Sequence, residues 1–234
     1  MTTQFTRIAK RFHLINWKPF RFVELFIFLV LVILLSPLLN RTPLLSALLS
    51  AFFLNILIVS LSFAGFSVCG RWALVLLWLF GPLLDWAALG TGDLTTAMWL
   101  YITSDIFRTL LLIISVVLIL RYVLKSHEVT LDTIFGALVA YFLIAFAFSA
   151  IFQAVAVFEP TSFSIAGVTG AEDSDSLKMQ LNYFSFVTIA TLGYGDIVPK
   201  LPVTQTLAIL EAVIGQFYMA VIVAWLVSAY ARRR

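Results

Sequence analysis

The sequence predicts an all-α membrane protein: six transmembrane helices, with a re-entrant half-helix and an irregular loop between the fifth and sixth. Three observations carry that prediction. Of 234 residues, 62% are hydrophobic and 12% charged, with a mean hydropathy of +1.05. A soluble domain holds about 45–50% apolar and 25% charged residues, so no soluble core of this length hides the surplus, and the bilayer must be part of the solvent. Secondly, six apolar stretches are each long enough to cross roughly 30 Å of hydrocarbon; they fall at about 23–40, 44–65, 72–90, 100–124, 130–157 and 203–229. Thirdly, about 45 residues separate the last two stretches, and their second part is apolar but too short to cross.

In chain order, residues 1–22 form a cytoplasmic segment. Within "FTRIAKRFHLINW" the apolar Phe5, Ile8, Phe12 and Ile15 recur at helical spacing, with Arg7, Lys10 and Arg11 between them. That pattern suits a helix lying on an anionic membrane face and ending before Pro19; a disordered basic tail fits it equally. No small-residue cleavage site follows the first apolar run, so a cleavable signal peptide is not expected. Residues 23–125 make four closely spaced spans, and a change of composition near Ser126 opens a second unit, 126–234.

Orientation follows from the basic residues. Arg7, Lys10, Arg11, Lys18 and Arg21, then Arg71, Arg121 and Lys125, and finally Arg232 to Arg234 all fall on one side of a six-span chain. That side is the cytoplasm, with both termini inside and the protein in the plasma membrane. The net charge of +3 matters less than this distribution. Cys69 is the single cysteine, so no intrachain disulfide forms. His13 and His127 are isolated, and no metal-ligand or nucleophile spacing appears, which points away from an enzyme and from a resident cofactor.

Inside the fourth span, Asp105 and Arg108 stand three apart and face one another on a helix. An ionisable pair within a membrane is a candidate functional site, although a purely structural pair fits the same spacing. Glu24 snorkels from the first span, and Glu211 lies one helical turn before Gly215 in the last.

The long connection begins with the acidic "EPTSFSIAGVTGAEDSDSLK", continues as "MQLNYFSFVTIA" and ends in "TLGYGD" at 191–196. A half-helix that dips in and an irregular backbone that returns are tolerated at membrane depth only where protein or water surrounds them. Gly193 and Gly195 enter positive φ freely. A strand alternating in handedness carries successive carbonyls to one side, and four such strands around an axis stack rings of oxygens.

"TLGYGD" resembles the potassium-channel signature TVGYGD, with Leu192 where valine is commonest, and the resemblance runs from about Val129 to Ala231. It implies a pore helix at "YFSFVTIA", a selectivity filter and an inner helix. It implies K⁺ sites at the carbonyls of Thr191, Leu192, Gly193 and Tyr194 and the Thr191 hydroxyl, in the manner known for such filters. Asp196 would stand at the outer mouth, bonded behind the filter to Tyr183 where tryptophan is more usual, with Gly195 completing the filter support and Gly215 as a gating hinge. Two departures matter: Ala190 replaces a threonine beneath the filter, which implies altered block, and Val187 stands where some bacterial relatives carry glutamate, which removes one mode of filter inactivation.

One filter occurs per chain and ringing an ion takes four, so a homotetramer of cyclic symmetry is expected. The connection carries Glu159, Glu172, Asp173 and Asp175 against Lys178, a net −3 that would concentrate cations at a mouth. Spans one to four resemble a voltage-sensor bundle without its regular arginines. Arg108 alone supplies roughly 2.3 kcal/mol per 100 mV if it crosses the whole field, against three or four charges in true sensors, so voltage dependence is weak or absent. The sequence closes on "ARRR", which leaves gating to the filter, the membrane or a separate partner; Arg232, Arg233 and Arg234 suit anionic lipid, and no nucleic-acid partner is expected. Three alternatives fit the same spans: a transport subunit needing a separate partner, a non-conducting sensor or scaffold, and a weakly selective cation pore.

Overall fold

Helix ends in this chain are marked by residues that satisfy free backbone groups, and the computed structural model shows where they act. It describes residues 21–39, 56, 68–126, 129–166 and 174–231. The amphipathic helix expected before Arg21, the second span apart from Ile56, Glu172, Asp173, both histidines and Arg232, Arg233 and Arg234 lie outside the described residues.

The first span is helix α1 (Arg21–Leu39). Helix α2 (Val68–Gly90) and helix α3 (Leu94–Lys125) follow, joined by Thr91 to Asp93 as an antiparallel hairpin. Asp93 caps α3: its carboxylate accepts from the Thr95 and Thr96 hydroxyls at 2.6 Å and from the Thr96 amide at 3.1 Å. Those donors, Thr95 first, hold the Asp93 carboxyl at about 2, well below the ordinary carboxylate range. Helix α4 (Leu131–Phe158) starts after a reciprocal cap in which Thr130 and Thr133 each bond the other's backbone amide. Helix α5 (Ser174–Ile189) has 16 residues, too few to cross the hydrocarbon. Helix α6 (Pro202–Ala231) opens on proline, whose fixed φ and missing N–H suit a first helical position.

Three described helices are long and apolar enough to cross a membrane, over Thr95–Lys125, Leu131–Phe158 and Pro202–Ser228. They coincide with the fourth, fifth and sixth expected spans. Phe22–Ser36 and Leu74–Ala88 are shorter apolar helices at the first and third.

The main core joins α1, α3, α4 and α6. Phe22, Leu25, Leu29 and Val32 recur along one face of α1; Leu112, Val116, Ile119 and Val123 do so on α3. Both faces meet Ala137, Ala140, Leu143 and Ala147 of α4, where small side chains let helices approach closely. A Cβ on Gly136 would lie 3.0 Å from the Phe22 ring and 3.1 Å from Val123. The Phe22 amide of α1 donates to Asp132 of α4 at 2.8 Å. At the other end of α4 a second cluster, Phe152, Ala156, Leu181, Phe184 and Ile197, seats α5.

One departure from the all-α expectation appears there. Strands β1 (Phe163–Ile165) and β2 (Ile197–Pro199) pair antiparallel, with Phe163 opposite Pro199 and Ile165 opposite Ile197. The pairing extends through Ala166 N–H to Asp196 O at 2.8 Å and Lys200 N–H to Ser162 O at 2.9 Å. The segments leaving α4 and preceding α6 thereby satisfy backbone groups that neither helix reaches. Strands of three residues leave no periodicity to read in a sequence.

Candidate functional site

Helix α5 and the loop after it are positioned from behind by α4 and α6. Ser149 of α4 donates to Asn182, and Gln153 donates to Ser149 at 2.8 Å. Ser185 donates to the Ala145 carbonyl of α4 at 2.6 Å. Two tyrosines tie the same helices by their backbones: Tyr141 donates to the Ile189 carbonyl at 3.0 Å, and Tyr218 of α6 to the Ala137 carbonyl at 2.5 Å. The Ile189 carbonyl is the last of α5, so Tyr141 fixes the point from which the loop departs.

The helix ends in a specific turn. Thr191 N–H bonds Thr188 O at 2.9 Å and Leu192 N–H bonds Val187 O at 2.9 Å. This is the Schellman pair, which places Thr191 just past the cap in the left-handed conformation that glycine normally fills. Its φ is +57°. A left-handed non-glycine residue costs of order 1–2 kcal/mol, and strain of that kind concentrates at functional sites. Gly193 at φ +57° and Gly195 at φ +78° follow, and among the described residues these three alone have positive φ. Handedness therefore alternates along 191–195. A Cβ built on Gly193 or Gly195 meets nothing within 4 Å, so conformation and not space requires glycine there.

Beyond the loop, Tyr183 of α5 donates to Asp196 at 2.7 Å, and the second Asp196 oxygen accepts from Ile197 N–H at 3.1 Å. The Tyr183 and Tyr194 rings stack at 6.5 Å and 13°. Donation to the Asp196 carboxylate, with the negative charge nearby, pushes the Tyr183 hydroxyl up to about 12. Thus Tyr183, Tyr194 and Asp196 come together, while Leu192 and Tyr194 stay more than half exposed in the single chain.

On α6, Gly215 lies in unbroken helix. A Cβ there would come within 2.8 Å of Ile189 Cγ1 and 3.2 Å of the Ile189 carbonyl carbon, and closer still to its oxygen. Close approach to the end of α5 thus accounts for this glycine without a bend. A cavity of about 350 Å³ opens at this junction, lined by Tyr141, Ala190, Thr191, Gly215, Gln216 and Met219 among others. Glu211, one turn earlier, is fully buried and bonded to Ser185.

Asp105 and Arg108 do pair, at 3.0 Å, but the structure adds a member that sequence reasoning missed: Asp85 of α2 also bonds Arg108. A carboxylate inside the third span was its visible signal. Thr191, Ser185, Tyr141 and Tyr218 gave no comparable sign of their contacts, because each partner lies on another helix or is a backbone conformation.

A short helix seated behind a strained, glycine-bearing loop, between two apolar helices long enough to span a membrane, defines a channel-type unit. Residues 137–232 match the family model described as an ion channel, the two-span potassium-channel type. The chain is therefore a multi-pass membrane protein with an ion-channel domain, and the resemblance read from TLGYGD is borne out at the level of that family. No curated protein matches the chain.

Proposed function

We propose that the protein is a homotetrameric, potassium-selective channel that conducts K⁺ passively with little or no voltage dependence. The observation that carries this reading is the alternation of handedness at Thr191, Gly193 and Gly195 within TLGYGD. The carbonyls of Thr191, Leu192, Gly193 and Tyr194 and the Thr191 hydroxyl are the ion ligands in this reading, exchanging for the water shell of K⁺. Retaining Thr191 at a strained position fits a need for its hydroxyl.

Assembly is supported by what one chain leaves bare. Leu192 and Tyr194 are exposed, and so are Ile209, Val213, Phe217 and Val221 along α6. One loop per chain ringed by three copies would cover both. Six spans, cytoplasmic termini and plasma-membrane residence complete the reading, with Arg232, Arg233 and Arg234 facing anionic lipid. Weak voltage dependence is supported by Arg108, whose guanidinium is held by Asp85 and Asp105.

The test is flux from purified protein in liposomes, K⁺ beside Na⁺, with Gly193→Ala as control. An alanine at φ +57° is strained by about 1–2 kcal/mol. Strong K⁺ preference, blocked by Ba²⁺ and lost in the variant, is expected. Equal K⁺ and Na⁺ flux would demote the pore to an unselective one. Flux appearing only with an added partner, or never, would favour the transport-subunit or scaffold readings.

A further inference from the structure

Behind the loop, three helices meet at one serine. Ser185 Oγ of α5 lies 2.6 Å from the Ala145 carbonyl of α4 and also contacts Glu211 Oε1 of α6. A serine hydroxyl has one hydrogen, and a backbone carbonyl only accepts. The Ser185 hydrogen therefore belongs to Ala145, and the contact with Glu211 needs a hydrogen of its own. Glu211 is its source. Both side chains are fully buried, and Glu211 Oε2 has no partner among the described residues. An ionised carboxylate would leave a charge with one bare oxygen amid packed helices in hydrocarbon, which is costly.

We infer that Glu211 is a positioning residue that carries its proton, donating to Ser185 and through it to Ala145, so that one hydrogen-bonded chain ties inner, pore and outer helices together. Ser185 stands four residues, about one turn, before Ile189, the end of α5, and six residues before Thr191. Loosening the tie frees the helix that presents the loop. The conductance consequence rests on the potassium-channel reading; the proton itself does not.

Two measurements test this on reconstituted full-length protein. Infrared spectroscopy should show a protonated carboxylic-acid carbonyl band in the wild type that is missing from Glu211→Gln. In flux assays, Glu211→Gln, a neutral donor of the same shape, should stay within about twofold of wild type. Glu211→Ala and Ser185→Ala, which strand a buried group, should lose about tenfold or more. Absence of the band overturns the inference whatever the flux does, and so does a Glu211→Gln protein that folds but falls as far as Glu211→Ala. If the band is present but the wild type shows no K⁺ preference, the proton assignment stands and the potassium reading fails.

Discussion

Gly215→Ala offers the sharpest test of how the pore-side helix meets the loop. Two effects oppose one another. Alanine in a helix interior gains about 1 kcal/mol over glycine. Against that, the new Cβ would sit 2.8 Å from Ile189 Cγ1 and closer to the Ile189 carbonyl oxygen, a backbone atom that Tyr141 already holds. Overpacking of this kind costs about 1–3 kcal/mol, occasionally more, and a fixed backbone obstacle belongs at the upper end. The net expectation is a loss of about 2 kcal/mol, at roughly 2–4 °C of Tm per kcal/mol for a chain of this size. Gly136→Ala is the control: its obstacles are Phe22 and Val123 side-chain atoms at 3.0 and 3.1 Å, which need to give by only a few tenths of an ångström where Gly215 meets fixed backbone, so a smaller loss than at Gly215 is expected. Thermal unfolding of the purified protein and K⁺ flux read both. The reasoning is refuted if Gly215→Ala unfolds and conducts like the wild type. The hinge expectation is separable, because Gly215→Ala combined with Ile214→Gly returns flexibility to the helix without returning space at Ile189. Rescue by that pair would favour a hinge; no rescue would favour the contact.

Two further outcomes follow from the charged and titrating groups. Tyr183 titrates at about 12 against an ordinary 10.0 because its neutral hydroxyl donates to Asp196. A raised folded value means the stabilisation is whole below pH 10 and fades as pH rises from 10 through about 12. Tyrosinate absorbance should therefore show a late-titrating component that shrinks in Tyr183→Phe and moves earlier in Asp196→Asn; a titration profile that neither variant changes would contradict it. In the triad, Asp85 bridges two helices whereas Asp105 shares one helix with Arg108. Asp85→Asn should cost about 1–2 kcal/mol and Asp105→Asn no more than about 0.5. A double-mutant cycle with Arg108→Gln should give the larger coupling to Asp85, and equal couplings would sink the assignment.

Residence in a bilayer was legible from the sequence alone, because hydrophobic content and run length are properties of the chain taken a window at a time. The helices Leu94–Lys125, Leu131–Phe158 and Pro202–Ala231 lie where apolar runs put them for that reason. TLGYGD was legible too, since its glycines state a backbone requirement in their own chemistry. The pairing of Asp105 with Arg108 could be read because helical geometry brings neighbours three apart together. Tertiary structure decided the rest. It brought Asp85 to Arg108 across a hairpin, joined Glu211, Ser185 and Ala145 from three helices, and set Gly215 against Ile189. Thr191 is a separate case: the local end of α5, through bonds to Thr188 and Val187, turned it left-handed with no glycine to announce it. The contacts between helices depend on distances between residues remote in sequence, which no local periodicity encodes. They exist only once the helices have packed.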